Sequence, residues 1–560
     1  MKRVEIGLVS LFLAGSILGC GSRGTDSNLA ASARGPQTFY VDSVAGSDVA
    51  SGTSLSTPWK SLTKINATKL LAGDVIRLRR GSAWDTGLTI KDSGTAEARI
   101  IIEAYGDEDK PVQEMKSPII ENPGAGRWGA AVEVKGSYIT VEGLLLRNAN
   151  ARGVMINEGA NHNIIRHNEI ANVGIGVQTF GQFNLITRNY VHDVHMIVND
   201  PRDPDKPRSG SNDFGANCFW LENTDNEISY NRGENCIGPS YDYGKDGGFV
   251  ELFGVTDRSH IHHNYAKNTD GFSEIGGPGG DASAHAIRMH HNVIVDVVTP
   301  VLCVHTESSL AKIEDVRFEN NTVYKPAGGG SPAIDCFKKG EDPKTLLLRN
   351  NIFVSDVRIA PSAAFSHTNN LYNMVGGISP GFALDPTEKL SDAGFFDAQG
   401  GDLRLAEGSK AIDAGLELGY QADYTGRAAA GLPDLGAYEF GSAITVFAAG
   451  EAADGVYPTM RLLVDDIPVA TWTDTKGNPA LRQFQTFTYN HPKTIAIDRI
   501  KVEFVNDGGA RGARNLMVDK VSLDGKNYHT EAETSYSTSC QSGYQKSEWL
   551  YCNGTVAYKN

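Results

Sequence analysis

The chain has 560 residues, a formal net charge of −15, 62 glycines and 8% aromatic residues. Such a length holds about two or three domains with a sizeable core. The acidic balance excludes a general nucleic-acid binder, which needs clustered Lys and Arg, and the glycine content favours many short strands and turns over helices.

At the N-terminus, MKRVEIGLVSLFLAGSILGC places Lys2 and Arg3 before an apolar run. The run is too short for a stable membrane span and has the shape of a secretion signal. Its end, Leu18-Gly19-Cys20, resembles a bacterial lipobox. The resemblance implies that residues 1–19 are a signal peptide and that Cys20 becomes the lipidated first residue, anchoring the protein to a membrane. Residues 20–37, rich in Ser, Gly and Ala, read as a flexible tether. Gly21 stands where inner-membrane lipoproteins commonly carry Asp, so an outer-membrane or cell-surface location is expected. Export permits disulfides. Cys540 and Cys552 bracket a short C-terminal loop and form the leading pair, with Cys218 and Cys236 as a second candidate. No cysteines have zinc-site spacing.

From 138 to 354, apolar alternation recurs around one or two Asn, as in NIIRHNEI (163–170), NEISYNRG (226–233), IRMHHNVI (287–294) and LLLRNNIF (346–353). The recurring residues are Asn168, Asn189, Asn231, Asn264, Asn292, Asn321 and Asn351, and the later intervals are 33, 28, 29 and 30 residues. Periods of that size mean stacked supersecondary units, and period-2 alternation makes the units strands. Asn at a turn tolerates left-handed backbone angles and can bond to the coils above and below. A ladder of such Asn predicts an all-β fold, a right-handed parallel β-helix over 38–440. His262, His263, His290 and His291 read as members of the stacked turns.

Two segments, KDGGFVELFG (245–254) and DGFSEIGG (270–277), share Gly-Phe-x-Glu, ending in Glu251 and Glu274, 23 residues apart. If 23 residues make one coil, the two carboxylates occupy neighbouring rungs about 4.8 Å apart, and their mutual repulsion raises at least one pKa. Glu251 and Glu274 are therefore the candidate catalytic pair, with Asp246 as the alternative partner. Asp213, Trp220, Glu222, Arg288, His305 and Glu307 are candidate substrate-binding residues, because a sugar cleft combines an aromatic platform with carboxylates that bond hydroxyls and move protons. The Pro- and Asp-rich insertion 195–215 interrupts the repeat and reads as a loop walling one side of the cleft.

YVDSVAGSDVASGTSLSTPWKSLTKI (40–65) and GDVIRLRRGSAW (73–84) resemble the opening coil of exported, pectate-lyase-like right-handed β-helix proteins, and AIDAG (411–415) with DLGAYEF (434–440) resembles their closing coil. The resemblance implies a polysaccharide-active protein. After Phe440 the Asn pattern stops, and 443–560 reads as a separate β-sandwich. MRLLVDD (460–466), DRIKVEFVNDGGARGARNLMVDKVSLDG (498–525) and EWLYCNGTVAY (548–558) resemble the calcium-dependent xylan-binding carbohydrate modules. That likeness implies a Ca²⁺ site drawing on Asp507, Asn515 and Asp519, completed by further oxygen ligands, and a polysaccharide partner such as plant cell-wall xylan or a galactan.

These readings converge on a surface-anchored glycoside hydrolase, expected to be monomeric, whose module keeps the polymer near the cleft. Two alternatives stay open. One is a calcium-dependent polysaccharide lyase with Lys245 or Arg288 as base and Asp246 with Glu251 holding the metal. The other is a non-catalytic polysaccharide-binding or adhesion protein.

Overall fold

The computed structural model describes residues 34–107, 115–200, 213–241, 243–277, 282–298, 300–305, 312–335, 344–361, 365–508, 514–532, 534–538 and 548–559. Cys20, Glu307 and Cys540 lie outside the described residues. Among those described, three long sheets of twelve, ten and twelve strands wind around one axis. Each coil contributes one strand to each sheet, as Leu185–Thr187, Tyr190–His192 and Asn217–Leu221 do, and these strands pair in parallel with their equivalents in the neighbouring coils. The result is the expected parallel β-helix.

The recurring Asn residues are its internal ladder. The backbone N–H of Asn264 donates to Asn292 Oδ1 at 3.0 Å, that of Asn292 to Asn321 Oδ1 at 3.0 Å, and that of Asn321 to Asn351 Oδ1 at 2.9 Å. The same bond links Asn168, Asn189, Asn231 and Asn264 in turn and continues from Asn351 to Asn370. A second ladder joins Asn163, Asn184 and Asn226. The left-handed backbone sits one residue before the buried Asn, at Arg188, Tyr230, His263, His291, Asn320 and Asn350. The buried Asn therefore serves the turn through its amide, and its neighbour takes the positive φ.

Inside the coil, equivalent positions stack like on like. Ile165, Ile186, Ile228, Ile261, Met289, Phe318 and Leu348 occupy one fully buried column. The Phe249 and Phe272 rings of the two Gly-Phe-x-Glu segments lie 5.1 Å apart at 8°. Cys218 and Cys236 form a disulfide. The Cys236 carbonyl accepts from the N–H of both Gly248 and Asp270, so this cross-link holds the strands that enter the cleft. Cys552 is also disulfide-bonded.

The C-terminal part holds two five-stranded antiparallel sheets around a separate core that includes Met460, Phe504, Val518 and Tyr558. It is pinned to the end of the coil. Arg404 bonds the Ile495 carbonyl at 3.0 Å and Ser442 Oγ at 3.1 Å, and pairs with Asp524. Thr494 Oγ1 donates to the Leu405 carbonyl at 2.6 Å.

Removing one ladder amide isolates a buried donor. Asn292→Ala leaves the Asn264 N–H unpaired and takes one donor from the Ile261 carbonyl, the first costing about 1–3 kcal/mol. Urea unfolding should show a markedly lower midpoint for this variant than for wild type.

Candidate active site

The ten-stranded sheet carries the site on its outer face. Strand Asn217–Leu221 pairs in parallel with Gly244–Phe253, which pairs with Ser273–Gly276, which pairs with Leu302–Val304. The register sets Trp220, Glu251, Glu274 and Cys303 in one column. Glu251 and Glu274 are direct partners on adjacent rungs. The shared Gly-Phe segment has a local cause: Gly248 has φ +142 and Gly271 φ +79, and a Cβ would lie 3.0 Å from the Asp270 carbonyl oxygen at the first and 2.8 Å from the Pro300 carbonyl oxygen at the second.

The column opens into a cleft of about 760 Å³ lined by Asp213, Trp220, Lys245, Asp246, Glu251, Asp270, Glu274 and His305 among others, a volume suited to a few sugar units. The insertion supplies one wall. Strands Met196–Asn199 and Asp213–Gly215 form an antiparallel pair, and Ile237–Ser240 adds antiparallel to the start of Gly244–Phe253. These segments carry Asp213 and Asp246 to the cleft, and Ser240 Oγ donates to Asp213.

Crowded acids in a sheltered place resist ionisation. Burial pushes the Glu251 carboxyl well above the usual range, and the charges of Glu274, Asp246 and Glu222 push it further. Burial, then the hydrogen bond and charge of Asp213, raises Asp246 to about 9. Burial and Glu274 raise Asp270 to about 6, against the opposing charge of Lys245. Glu251 is 9% exposed, whereas the Glu274 side chain is 42% exposed and pairs with His305 Nε2 at 2.6 Å. Gly276 makes that pair possible, because a Cβ there would stand 3.0 Å from the His305 ring.

Aromatic rings flank the acids. Phe214 lies 4.7 Å from Trp220, Trp220 5.5 Å from Phe253, and the half-exposed Trp128 5.7 Å from Phe214. Glu222 accepts from Gln178 Nε2 at 2.7 Å, and Gln178 accepts from Arg152. Burial raises the Glu222 carboxyl, offset in part by the Gln178 bond.

Asp213, Trp220, Asp246, Glu251, Glu274 and His305 thus share one cleft, with Glu222 linked to it through its neighbours. Arg288 does not join them: it pairs in register with His260 and Arg317 on the first twelve-stranded sheet and is exposed. Asp270, Phe214, Phe253 and Trp128 went unrecognised in the sequence. Asp270 had a signal, since an Asp precedes both Gly-Phe-x-Glu copies, in KDGGFVE and DGFSE. The aromatic neighbours had none, because they come from separate segments. Glu274, Cys303 and His305 cluster closely enough to hold a cation, but Cys303 is disulfide-bonded and offers no thiolate.

In the C-terminal sandwich, Asn515 Oδ1 is buried without a hydrogen-bond partner among the described residues, while its Nδ2 donates to Glu451 at 2.7 Å. Arg514 bonds the Asn506 carbonyl, which ties the start of this strand to the Asp507 loop. An orphaned amide oxygen near an Asp-bearing loop suits a hard, oxygen-liganded cation, so Asp507 and Asn515 fit Ca²⁺. Asp519 does not. It lies four residues further along the strand, roughly 13 Å away at about 3.3 Å per residue, and is buried in an ion pair with Arg482 at 2.9 Å. The metal reading of Asp519 is therefore corrected to a structural ion pair.

Residues 443–538 match the family model of CBM60, described as a Ca-dependent carbohydrate-binding module, xylan-binding. The chain is 40% identical over 133 residues to a lacto-N-biosidase of Bifidobacterium longum subsp. longum, covering 20% of this chain and 8% of that protein. It is 36% identical over 106 residues to the endo-1,4-beta-xylanase Xyn11B of Cellvibrio japonicus, covering 18% and 26%. The chain thus spans about a tenth to a quarter of the curated relatives it matches. Among solved structures, pectate lyase Pel9A is similar with a TM-score of 0.45 at 17% identity, over 72% of this chain and 97% of that one. The chain carries a carbohydrate-binding module after a parallel β-helix.

Two outcomes check this geometry. Folding raises the Asp246 pKa from 3.8 to about 9, so the folded state holds a proton that the unfolded chain releases. The associated stability is complete below pH 3.8 and is lost as pH rises towards about 9. Asp246→Asn should flatten this part of a denaturation midpoint-against-pH curve. In the module, Asp507→Ala should abolish calcium-dependent retention on a polysaccharide affinity gel without lowering the melting temperature of the calcium-free protein, whereas Asp519→Ala should lower that temperature.

Proposed function

We propose that the protein is a glycoside hydrolase acting on an oligo- or polysaccharide, with Glu251 and Glu274 as its working carboxyl groups. The observation that carries this reading is their direct pairing on adjacent rungs of an open cleft, one sheltered and one accessible. Glycosidic cleavage needs one carboxyl group that keeps its proton and one that stays ionised. Burial suits Glu251 to donate a proton to the leaving oxygen. Exposure and the His305 contact suit Glu274 to attack the anomeric carbon as a carboxylate. Trp220 and Phe214 offer apolar faces to a sugar ring, and Asp246 is the alternative proton donor.

A rung spacing of about 4.8 Å lies near the 5–5.5 Å carboxyl separation of retaining enzymes and below the 6.5–9.5 Å that accommodates a water. Net retention of anomeric configuration follows from this reading. The C-terminal module then holds xylan, a galactan or a related polymer beside the cleft through a calcium ion, and Cys20 tethers the exported protein to the cell surface.

One observation favours a second reading. Lys245 lines the same cleft as Asp246 and Glu251, which is the pairing of a base with acidic metal ligands that a lyase needs. Products distinguish the two: a lyase yields an unsaturated sugar absorbing in the ultraviolet, a hydrolase a new reducing end without it. A binding protein yields neither.

On a substrate the wild type cleaves, Glu251→Gln and Glu274→Gln should each lose roughly two to three orders of magnitude in turnover while folding normally. The double variant should be little worse than the worse single one, because coupled catalytic groups are non-additive. Near-wild-type rates in both single variants would remove the pair from the mechanism. Proton NMR of the first-formed product should show the anomer of the substrate, and the opposite anomer would reject Glu274 as nucleophile.

A further inference from the structure

Imidazoles are concentrated away from the cleft, on the outer face of the first twelve-stranded sheet. Strand Glu227–Ser229 pairs with His260–His262, which pairs with Arg288–His290. Glu227 sits beside His260, and His262 beside His290. One ring nitrogen from each of His260, His262 and His290 lies within 4.8 Å of the other two. His260 Nε2 is 2.6 Å from His290 Nε2, and Glu227 Oε1 is 3.2 Å from His262 Nε2.

Hydrogen bonds assign the lone pairs. His263 Nε2 donates to the Asp423 carbonyl at 2.9 Å, so the Nδ1 of a neutral His263 is an acceptor. His262 Nδ1, 2.8 Å from it, must then donate. A neutral His262 therefore turns the lone pair of Nε2 towards the Glu227 carboxylate. Two acceptors facing each other at 3.2 Å repel, and either a proton or a metal cation between them removes the conflict. At the neighbouring contact, two Nε2 atoms face each other and can share at most one proton.

We propose that His260, His262 and His290 form a zinc site that staples two successive rungs of the coil, with Glu227 beside His262 as a source of negative charge. Three imidazole nitrogens supply three corners of a tetrahedral Zn²⁺ shell at about 2.0–2.2 Å, and a water can take the fourth. His263 Nδ1 and His291 Nδ1, 2.8 Å and 2.9 Å from the inner nitrogens of His262 and His290, fix the two ring orientations, as outer partners of metal-bound imidazoles do. The Glu227 side chain is 42% exposed, which leaves an entry path from solvent. Arg288 beside His260 opposes a cation, and Glu227 supplies the compensating charge. Tyr420, whose ring centroid lies 4.0 Å from that of His290, closes the other side. This site lies on a different sheet from the acidic cleft and stands or falls independently of the reaction proposed above.

The test uses the full chain without an affinity tag, stripped with chelator and equilibrated with zinc at on the order of 10 µM free metal. Metal analysis should find about one zinc per wild-type chain, and the melting temperature should rise with zinc. His260→Gln/His290→Gln should lose that zinc and the thermal shift, and Glu227→Gln should weaken binding at least tenfold. Cobalt in place of zinc should give the visible absorption of a tetrahedral ion, a readout on the wild type that does not depend on any variant folding. Wild-type protein that takes up no zinc, cobalt bound only as an octahedral ion, or variants that fold and bind as tightly as wild type would each overturn the proposal.

Discussion

Parallel, in-register pairing between successive coils is the constraint on which the rest of the structure depends. Interstrand hydrogen bonds fix the rungs about 4.8 Å apart and carry each side chain directly over its equivalent. Whatever a sequence places at one phase of the coil must therefore tolerate a neighbour at that distance. Asn tolerates it by passing one amide bond to the next coil, and phenylalanine by stacking. Carboxylates do not tolerate it unaided. Glu251 and Glu274 are register partners, so the pair creates an electrostatic demand that a proton or a counter-ion must meet.

Burial decides how the demand is met. Glu251 lies behind the aromatic and hairpin wall built by Phe214, Trp220 and the Ile237–Ser240 strand, and there the neutral acid is favoured. Glu274, one rung on, reaches solvent and His305. Two identical side chains on one face of one sheet thus differ in exposure and in partners because of their surroundings alone. The Cys218–Cys236 disulfide is part of the same device, because the Cys236 carbonyl positions both Gly248 and Asp270 at the entrance. The sandwich is fixed to the coil by Arg404 rather than hung on a loose linker.

Much of this was legible in the chain because a solenoid writes its structure as a repeat. The Asn interval revealed the coil, and the 23-residue spacing of Gly-Phe-x-Glu revealed that Glu251 and Glu274 share a phase. Legibility ended where segments of different phase meet. Arg288 follows a strand of another sheet, and nothing in its local pattern indicates which face it takes. Asp519 sits in a stretch that resembles a calcium loop, yet its partner Arg482 is 37 residues away in sequence. The histidines are a similar case: His263 and His291 do occupy the stacked turns, while His262 and His290 face outward to join His260. Their grouping depends on register between coils, which the repeat implies, and on Glu227 from a third rung, which it does not reveal.

The central claim is that burial in a sheltered cleft, together with adjacent-rung pairing, raises the Glu251 pKa well above the usual glutamate range. Difference infrared spectroscopy of the carboxyl stretch during a pH titration measures this directly, comparing wild type with Glu251→Gln. The account predicts a protonated carboxyl band that persists in wild type well above the ordinary carboxylate range and is missing from the variant. Wild-type and variant spectra that coincide, with no Glu251-dependent band surviving above about pH 5, close to the ordinary glutamate range, would contradict it.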